Sequence, residues 1–285
     1  GKEGEEEEEE GGAKEGGGLE EGEGEGEEKG RKDRSWIKRV RVTDRKNGTY
    51  DVEYLPEGSG LLQMVVKVNG ESIQGSPFIV HVPGKRLRIS SPFDGRGVIA
   101  YIGTKGLRQP FVNPHDSGEV TASMSTMAVS HRGFTCGEPR VLVQGNVVDG
   151  RGKYNYTDNV RGSWMAVDLK RHRLEVEAYS LRSDACQNQH KLRTWRLEGC
   201  DDGASWVTIR EHVNDASLSG KPFSTAAWTI EGFQGRPFQH FRIVQTDVNS
   251  SGNHFLTCAG LELYGVLHTA KGPEEAMEEG EGVKE

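Results

Sequence analysis

Three segments decide the fold because apolar and polar residues alternate along them: Leu192-Arg-Thr-Trp-Arg-Leu-Glu-Gly-Cys200, Phe241-Arg-Ile-Val-Gln-Thr246 and Ala259-Gly-Leu-Glu-Leu-Tyr-Gly265. This period of two is typical of half-buried β-strands. Polar loops separate the segments, and the most polar one reads Asn249-Ser-Ser-Gly-Asn-His254. Because recognition residues concentrate on loops held by a rigid scaffold, the arrangement predicts a binding module rather than a catalyst.

Negative charge is concentrated at the two ends of the chain. Residues 1–30 contain 14 Glu and 3 Lys, and residues 271–285 contain 6 Glu and 2 Lys, so the −8 net charge leaves +7 on residues 31–270. Such segments bury too little apolar surface to offset chain entropy, so we expect disordered acidic tails at 1–34 and 269–285. They serve as solvated linkers, or they screen the basic core or engage a basic partner.

The composition also excludes several classes of function. The positive residues of the core are scattered along the sequence, so we expect no nucleic-acid partner. No run approaches the roughly 20 apolar residues of a membrane span. The chain begins with Gly and both ends are linker-like, which suggests an excerpt of a longer protein. The remaining residues fit one small and one medium domain.

The cysteines and the sequence motifs give no indication of chemistry. Cys136, Cys186, Cys200 and Cys258 show no CxxC pair and no zinc-ligand spacing, so we expect each to be a small buried hydrophobic residue. No phosphate-binding loop, dinucleotide fingerprint, HExxH or nucleophile elbow occurs. We therefore predict no enzyme activity, no cofactor and no metal in this region, and a cytoplasmic location.

A short β-sheet precedes the main domain. Tyr50, Val52 and Tyr54 alternate with acidic residues after the tight-turn sequence Asn47-Gly48. The segment NGTYDVEYLPEGSG…VKVNGESIQGSPFIVHV, residues 47–82, resembles the second half of a filamin-type immunoglobulin repeat. The resemblance covers residues 38–82 and predicts a partial repeat at 35–83. Either the sequence begins after the first half of the repeat, or the acidic run is a long insertion. The resemblance implies peptide binding by strand addition or a spacer role.

Strand patterns continue through residues 84–268, with few credible helices between them. Trp164–Leu169 and Glu175–Leu181 alternate as strands, and Val98–Ile102 is predicted to be a buried strand that follows the loop Phe93–Gly97. This pattern predicts an all-β sandwich or barrel.

The order of motifs in the second piece resembles the discoidin-like, or F5/8 type C, domains, which are galactose-binding-like jelly-roll β-sandwiches. The resemblance spans residues 90–267 and rests on Trp164-Met-Ala-Val-Asp168-Leu169, Tyr179-Ser-Leu181-Arg182, Asp202-Gly203-Ala-Ser-Trp206 and the segments quoted above. Tyr101-Ile-Gly103-Thr104 and Asn113-Pro114 are similar to an intracellular branch found in large BTB-domain and HECT-type ubiquitin ligase proteins. Secreted relatives join the ends of the domain by a disulfide, and no cysteine lies near residue 90, which favours that branch.

The resemblance implies that ligands bind on loops at one end of the sandwich. The candidate binding residues on those loops are Asn113, His115, Asp116, Tyr154, Tyr156, Arg182, Asn249, Ser251, Asn253 and His254. His115 and Asp116 bind a cation or a partner, or they cap a turn. The two tyrosines anchor a partner or pack in the core. Arg182 pairs with an acidic group inside the domain or across an interface. The loop 249–254 is a hydrogen-bonded structural loop or a recognition loop. Trp164, Trp195, Trp206 and Trp228 are expected in the core.

These observations favour a non-catalytic protein-interaction fragment of a larger multidomain protein. By resemblance, it recruits a substrate or partner for a ubiquitin ligase or a BTB adaptor. The alternatives are a carbohydrate- or lipid-binding lectin-like module and a structural spacer. Likeness of fold alone does not decide between them.

Overall fold

The computed structural model describes residues 37–56, 58–129, 133, 135–145, 154–233 and 236–269. The predicted acidic tails lie outside these residues, apart from Thr269. The regular secondary structure of the described residues is almost entirely β-strand, as the sequence patterns predict. None of the helices in these ranges is long and apolar enough to span a membrane.

The secondary-structure elements fall into a short first piece and the larger domain that follows it. The first piece contains β1 (Ile37–Asp44), β2 (Tyr50–Pro56), β3 (Gly60–Met64), β4 (Lys67–Val68), β5 (Glu71–Ser72) and β6 (Phe78–Val82). The domain contains β7 (Lys85–Leu87), helix α1 (Val98–Gly103), β8 (Thr121–Met124), a 3₁₀ turn (Pro139–Val143), β9 (Trp164–Asp168), β10 (His172–Arg182), β11 (Trp195–Cys200), β12 (Val207–His212), β13 (Thr225–Thr229), β14 (His240–Gln245) and β15 (Gly260–Thr269).

The domain is a β-sandwich of two antiparallel sheets. One sheet has the order β13-β10-β15-β7 and the other has the order β12-β11-β14-β9-β8. The three alternating segments quoted at the outset form β11, β14 and β15, so they supply central strands to both sheets. Their inward residues Leu197, Phe241 and Leu263 are completely buried in the shared core. Full burial of such side chains contributes about 1.5–3 kcal/mol each.

A buried polar network joins the two sheets. The Tyr179 hydroxyl on β10 accepts a hydrogen bond from Trp195 Nε1 on β11 (3.0 Å) and donates to His212 Nε2 (2.7 Å). His212 Nδ1 and Trp228 Nε1 both donate to Asp215 Oδ2, at 2.8 and 2.9 Å. Burial lowers the pKa of His212, so the imidazole is neutral with its proton on Nδ1. The Trp195 and His212 rings stack with centroids 4.1 Å apart.

One strand prediction is wrong, because Val98–Gly103 forms the helix α1. The Glu262 carboxylate on β15 accepts hydrogen bonds from the first-turn amides of Ile99 (2.8 Å) and Ala100 (3.1 Å). Burial raises the pKa of Glu262 to about 7 in spite of these amide hydrogen bonds. A short apolar run does not distinguish a buried helix from a buried strand, and this carboxylate lies 163 residues away in sequence from Ile99.

The first piece has an exposed apolar face. β1 pairs with β2, which places Val40 opposite Tyr54 and Val42 opposite Val52 on one face of the hairpin. Val40 and Val42 are 55% and 60% exposed. After the hairpin, β3 pairs with β6, and the short strand β4 pairs with β5.

The predicted tryptophan core is half correct. Trp195 and Trp228 are buried, but Trp164 and Trp206 are only half-buried. Trp206 lies in the turn before β12, where the Arg242 guanidinium covers its ring at 4.1 Å. A surface cation therefore shields this ring in place of the core.

The prediction of buried cysteines is half correct too. Cys200 and Cys258 are buried, whereas Cys136 and Cys186 are partly exposed, and no disulfide joins any of the four within the described ranges. The partly exposed pair lies on loops, where the packing is less complete than between the sheets.

Candidate functional site

Two loops lie side by side at one end of the sandwich. Loop 183–194 connects β10 to β11, and loop 246–259 connects β14 to β15. The strands that flank the two loops are paired, since Arg182 is opposite Gly260 and Trp195 is opposite Gln245, and this pairing brings the ends of the two loops together. The amides of His190 and Lys191 donate to the hydroxyls of Ser251 and Ser250, each at 2.9 Å. The loops are therefore held in one mutual arrangement.

Asn249 organises the second loop from the inside. Its side chain is 4% exposed, and its Oδ1 accepts the Ser251 amide at 2.8 Å. Its Nδ2 donates to Asn253 Oδ1 (2.6 Å) and to the carbonyl of Phe255 (2.9 Å). All of these bonds close the loop on itself, so Asn249 determines its shape rather than its outer surface.

Three rings with polar neighbours form a half-exposed patch here: His190 and Phe255 lie on the two loops, and Tyr156 lies on the segment before β9 that is bridged to Thr257 of the second loop. The Phe255 ring is 5.4 Å from His190 and 5.6 Å from Tyr156, both edge-to-face. The Asn253 side-chain amide lies 3.2 Å from His190 Nδ1. Tyr156, His190, Asn253 and Phe255 are half-buried and Ser251 is exposed. These five residues are called the loop surface below.

The tyrosine of the loop surface contacts a thiol at its base. Burial, followed by a hydrogen bond with Cys136, raises the pKa of Tyr156 above its usual value. Its phenol is therefore neutral at physiological pH and available for hydrogen bonding. Tyr154, two residues earlier, is 52% exposed and completes the aromatic character of this segment.

A buried polar cluster supports loop 183–194. Lys191 is 1% exposed, and its Nζ donates to Ser183 Oγ (3.0 Å) and to the carbonyl of Cys186 (2.6 Å). Burial, together with the adjacent Asp184 carboxylate, raises the pKa of Cys186 to about 12. The thiol is therefore protonated at neutral pH and is a poor nucleophile. This geometry gives Cys186 no catalytic chemistry.

The predicted site residues at 113–116 lie on a separate, internally bonded turn. Asn113 Oδ1 accepts the amide of His115 (3.0 Å), and Asn113 Nδ2 donates to the carbonyl of Arg140 (3.0 Å). Arg140 also binds both carboxylate oxygens of Asp116 through its Nε, at 2.9 and 3.1 Å. His115 Nδ1 accepts the amide of Ala122 (3.0 Å). These contacts support the capped-turn alternative.

Two other candidates are held inside the domain or against a neighbouring segment. Arg182 is 5% exposed; it donates from Nη1 to the carbonyl of Gly145 (2.8 Å) and lies 4.1 Å from the centre of the Phe93 ring. The His254 amide donates to Asn159 Oδ1 at 2.7 Å. His254 Nδ1 is buried without a hydrogen-bond partner among the described residues.

Tyr156, Ser251 and Asn253 are candidates predicted from the sequence, and the structure brings them together. His190 and Phe255 are not among those candidates, yet they contribute the other two members of the loop surface. His190 lies on the loop that follows the candidate Arg182, and Phe255 directly follows the polar run 249–254. For Phe255, the available signal in the sequence was an aromatic residue directly after a polar loop. Among the described residues, no group of His, Cys, Asp or Glu side chains is arranged to hold a metal ion.

Comparison with protein families identifies the first piece. Residues 11–79 match the Filamin/ABP280 repeat. The match begins at residue 11, inside the Glu/Gly-rich segment, and therefore reaches further upstream than the resemblance read from the sequence at 38–82.

Sequence relatives include two large proteins. The E3 ubiquitin-protein ligase Ufd4 of Drosophila melanogaster is 32% identical over 184 residues, which cover 62% of this chain and 6% of that protein. A BTB/POZ domain-containing protein of Arabidopsis thaliana is 29% identical over 191 residues, or 64% of this chain and 22% of that protein. The chain thus spans a small fraction of the ligase relative.

The solved structures found to be similar to the chain include a family 32 carbohydrate-binding module from Clostridium perfringens, in complex with GalNAc-β-1,3-galactose. It is 13% identical, covers 52% of this chain and 96% of the module, and has a TM-score of 0.39. At that level of similarity, the ligand of the module says nothing about a ligand of this chain. The first piece of the chain thus matches a filamin-type repeat, the domain after it is a β-sandwich, and the chain is similar in sequence to short segments of a ubiquitin ligase and of a BTB/POZ protein.

Proposed function

We propose that residues 84–268 form a non-catalytic recognition domain that holds a protein partner or substrate on the loop surface. The observation that carries the proposal is a cluster of half-buried rings: His190 and Phe255 lie on two loops locked together by hydrogen bonds, and Tyr156 lies on the segment bridged to the second loop at Thr257. A surface that is ordered before binding loses little conformational entropy when a partner docks. Aromatic anchors rimmed by polar groups are typical centres of protein interfaces.

The larger protein that would use this domain is a ubiquitin ligase or a BTB-type adaptor in the cytoplasm. Support comes from the two relatives, which match this region over 6% and 22% of their own lengths. A region that small in a large ligase fits a module that brings a substrate towards a catalytic domain elsewhere. The filamin-type repeat then acts as a spacer or as a second binding element.

The test is quantitative capture of cell proteins by the full chain and by the variants His190→Ala and Phe255→Ala. Loss of a ring at the centre of an interface costs about 2 kcal/mol or more, so we expect partner affinity to fall by about 30-fold. Trp206→Ala is the matched control, because this ring is also half-buried but follows the far end of β11. The control variant should keep its partner.

The proposal fails if partners are retained equally by all three variants while thermal unfolding shows that each is folded. Glycan-array binding or binding to anionic liposomes that depends on the same two rings would instead assign the domain to the lectin-like alternative. A folded chain that retains neither proteins, glycans nor lipids would be a spacer.

A further inference from the structure

A second surface of the domain is an open, basic pocket of about 320 Å³ beside β7 and α1. It is separate from the loop surface, with which it shares no residue. Its lining includes four cations and two apolar or aromatic side chains: Lys85, Arg86, Arg88, Arg96, Tyr101 and Leu107. No acidic residue lines it within the described part of the chain. The pocket is therefore electropositive, and it has an apolar rim.

The cations of the pocket are held on a rigid frame. Lys85 and Arg86 belong to β7, which pairs with β15. The amide of Arg96 donates to Asp94 Oδ1 at 2.9 Å, and the same carboxylate binds the amide and hydroxyl of Ser90. These bonds fix the backbone from which two sides of the pocket are built.

Most of this positive charge is not neutralised by the residues that the structure describes. Arg86 forms an ion pair with Glu177 at 3.0 Å. Lys85, Arg88 and Arg96 are exposed and form no ion pair with a described carboxylate. Three cationic residues that line one pocket favour a ligand with several negative groups.

The apolar rim is held in an unfavourable conformation. Three successive residues adopt the left-handed region: Lys105 (φ 47°), Gly106 (φ 74°) and Leu107 (φ 68°). The Leu107 amide donates to Thr104 Oγ1 at 3.0 Å, and this turn leaves the leucine 71% exposed. A non-glycine residue held in this region costs free energy, and such strain tends to persist at binding sites.

We propose that the pocket binds an acidic segment of a protein that carries an apolar side chain between its carboxylates. The carboxylates pair with Lys85, Arg88 and Arg96, and the apolar side chain packs on Leu107 and Tyr101. The pocket is too small for the row of phosphate contacts by which nucleic acids are bound. A segment of the required composition, Glu-Glu-Ala-Met-Glu-Glu, occurs in this sequence at residues 274–279. It supplies the probe.

The experiment measures binding of a labelled peptide with the sequence of residues 272–282 to the full chain at low salt. In that chain, Glu274, Glu275, Glu278 and Glu279 are replaced by Gln, so that its own copy of the sequence does not compete. We expect saturable binding that weakens as salt is raised. A peptide with four Gln in place of Glu should not bind, and a peptide with Ser in place of Met should bind more weakly.

Variants then locate the site. Arg88→Ala/Arg96→Ala should weaken binding about fivefold, the effect of two exposed ion pairs. The control Arg39→Ala/Arg41→Ala removes the same net charge from exposed residues of β1 and should change affinity by less than about twofold. Leu107→Asn keeps a residue that tolerates the left-handed region but removes the apolar side chain, so it should weaken binding about threefold.

Several outcomes would overturn the proposal. Binding that does not saturate up to millimolar peptide would contradict it. An equal loss of peptide affinity in the two double variants would contradict it too, as would binding of the Gln peptide with the affinity of the Glu peptide. Displacement by millimolar inorganic phosphate, with no effect of the Met replacement, would assign the pocket to a small anion instead. Tighter, pocket-dependent binding of a single-stranded RNA would also contradict the proposal. None of these measurements depends on the loop surface, so failure of this proposal and failure of the proposed function can be told apart.

Discussion

Removal of one hydroxyl, in Tyr179→Phe, should weaken the contact between the two sheets. The hydroxyl is completely buried, accepts the Trp195 indole N–H at 3.0 Å and donates to His212 Nε2 at 2.7 Å. Phenylalanine keeps the ring, which stacks on Trp228 with centroids 5.1 Å apart. The substitution therefore leaves the packing and deletes only the hydrogen bonds.

The cost follows from the groups that lose their partners. A buried donor or acceptor without a partner costs about 1–3 kcal/mol, and both the Trp195 N–H and the His212 nitrogen are orphaned. We therefore expect a loss of about 2–4 kcal/mol in the free energy of unfolding. For a domain of this size, that corresponds to a fall of about 5–12 °C in Tm.

The assay is urea and thermal unfolding of the full chain followed by tryptophan fluorescence, with Tyr264→Phe as the matched control. Tyr264 lies on the neighbouring strand β15 and is equally buried, but its hydroxyl makes no hydrogen bond of normal geometry to any described residue. The control should change stability by less than about 0.5 kcal/mol or increase it. If the two variants unfold within about 0.5 kcal/mol of each other, the network does not stabilise the sandwich.

Two further predictions concern pH and backbone geometry. Burial, together with the nearby positive charge of Arg171, lowers the pKa of His172 from 6.5 to about 4, so the fold favours the neutral ring. The stability that the neutral ring contributes is present above pH 6.5. It is lost as pH falls towards 4, by about 3 kcal/mol in the free energy of unfolding. In denaturant titrations from pH 7 to 4, the wild type should lose about 3 kcal/mol more stability than His172→Gln, and parallel curves would contradict the prediction. Gly265→Ala should cost several kcal/mol or prevent folding, because its Cβ would lie 2.0 Å from the carbonyl oxygen of Glu175. Gly203→Ala, at φ +73° with no atom within 4 Å, should cost only about 1 kcal/mol; equal losses in the two glycine variants would refute the steric argument.

Strand patterns in the sequence were reliable where one face is buried and the other is not. In β14, Phe241 and Ile243 are buried and alternate with the half-buried Arg242, and the strand lies where the pattern predicts it. The pattern failed at Val98–Gly103, because every residue in a short apolar run reads as buried in either conformation. It also overestimated the burial of Trp206, since a residue beside a strand need not face the core.

The candidate site could be predicted as a set of loops but not as a surface. The Asn-, Ser- and Gly-rich composition of residues 249–254 marked a loop, and its polarity marked possible hydrogen bonds. Composition does not distinguish side chains that bond within a loop, such as Asn249, from those left available outside it, such as Ser251. That distinction depends on backbone geometry and on the second loop.

Local sequence determined the β-class, the main strands and the acidic composition of the chain ends, because side-chain alternation and residue type are properties of neighbouring residues. Only the tertiary structure decided which groups meet across the sandwich. Glu262 binds the start of α1 163 residues away, Phe255 reaches His190, and β7 carries two cations to a pocket completed by Leu107. These contacts depend on sheet order and register, which arise from packing of the whole core and have no expression in any single segment.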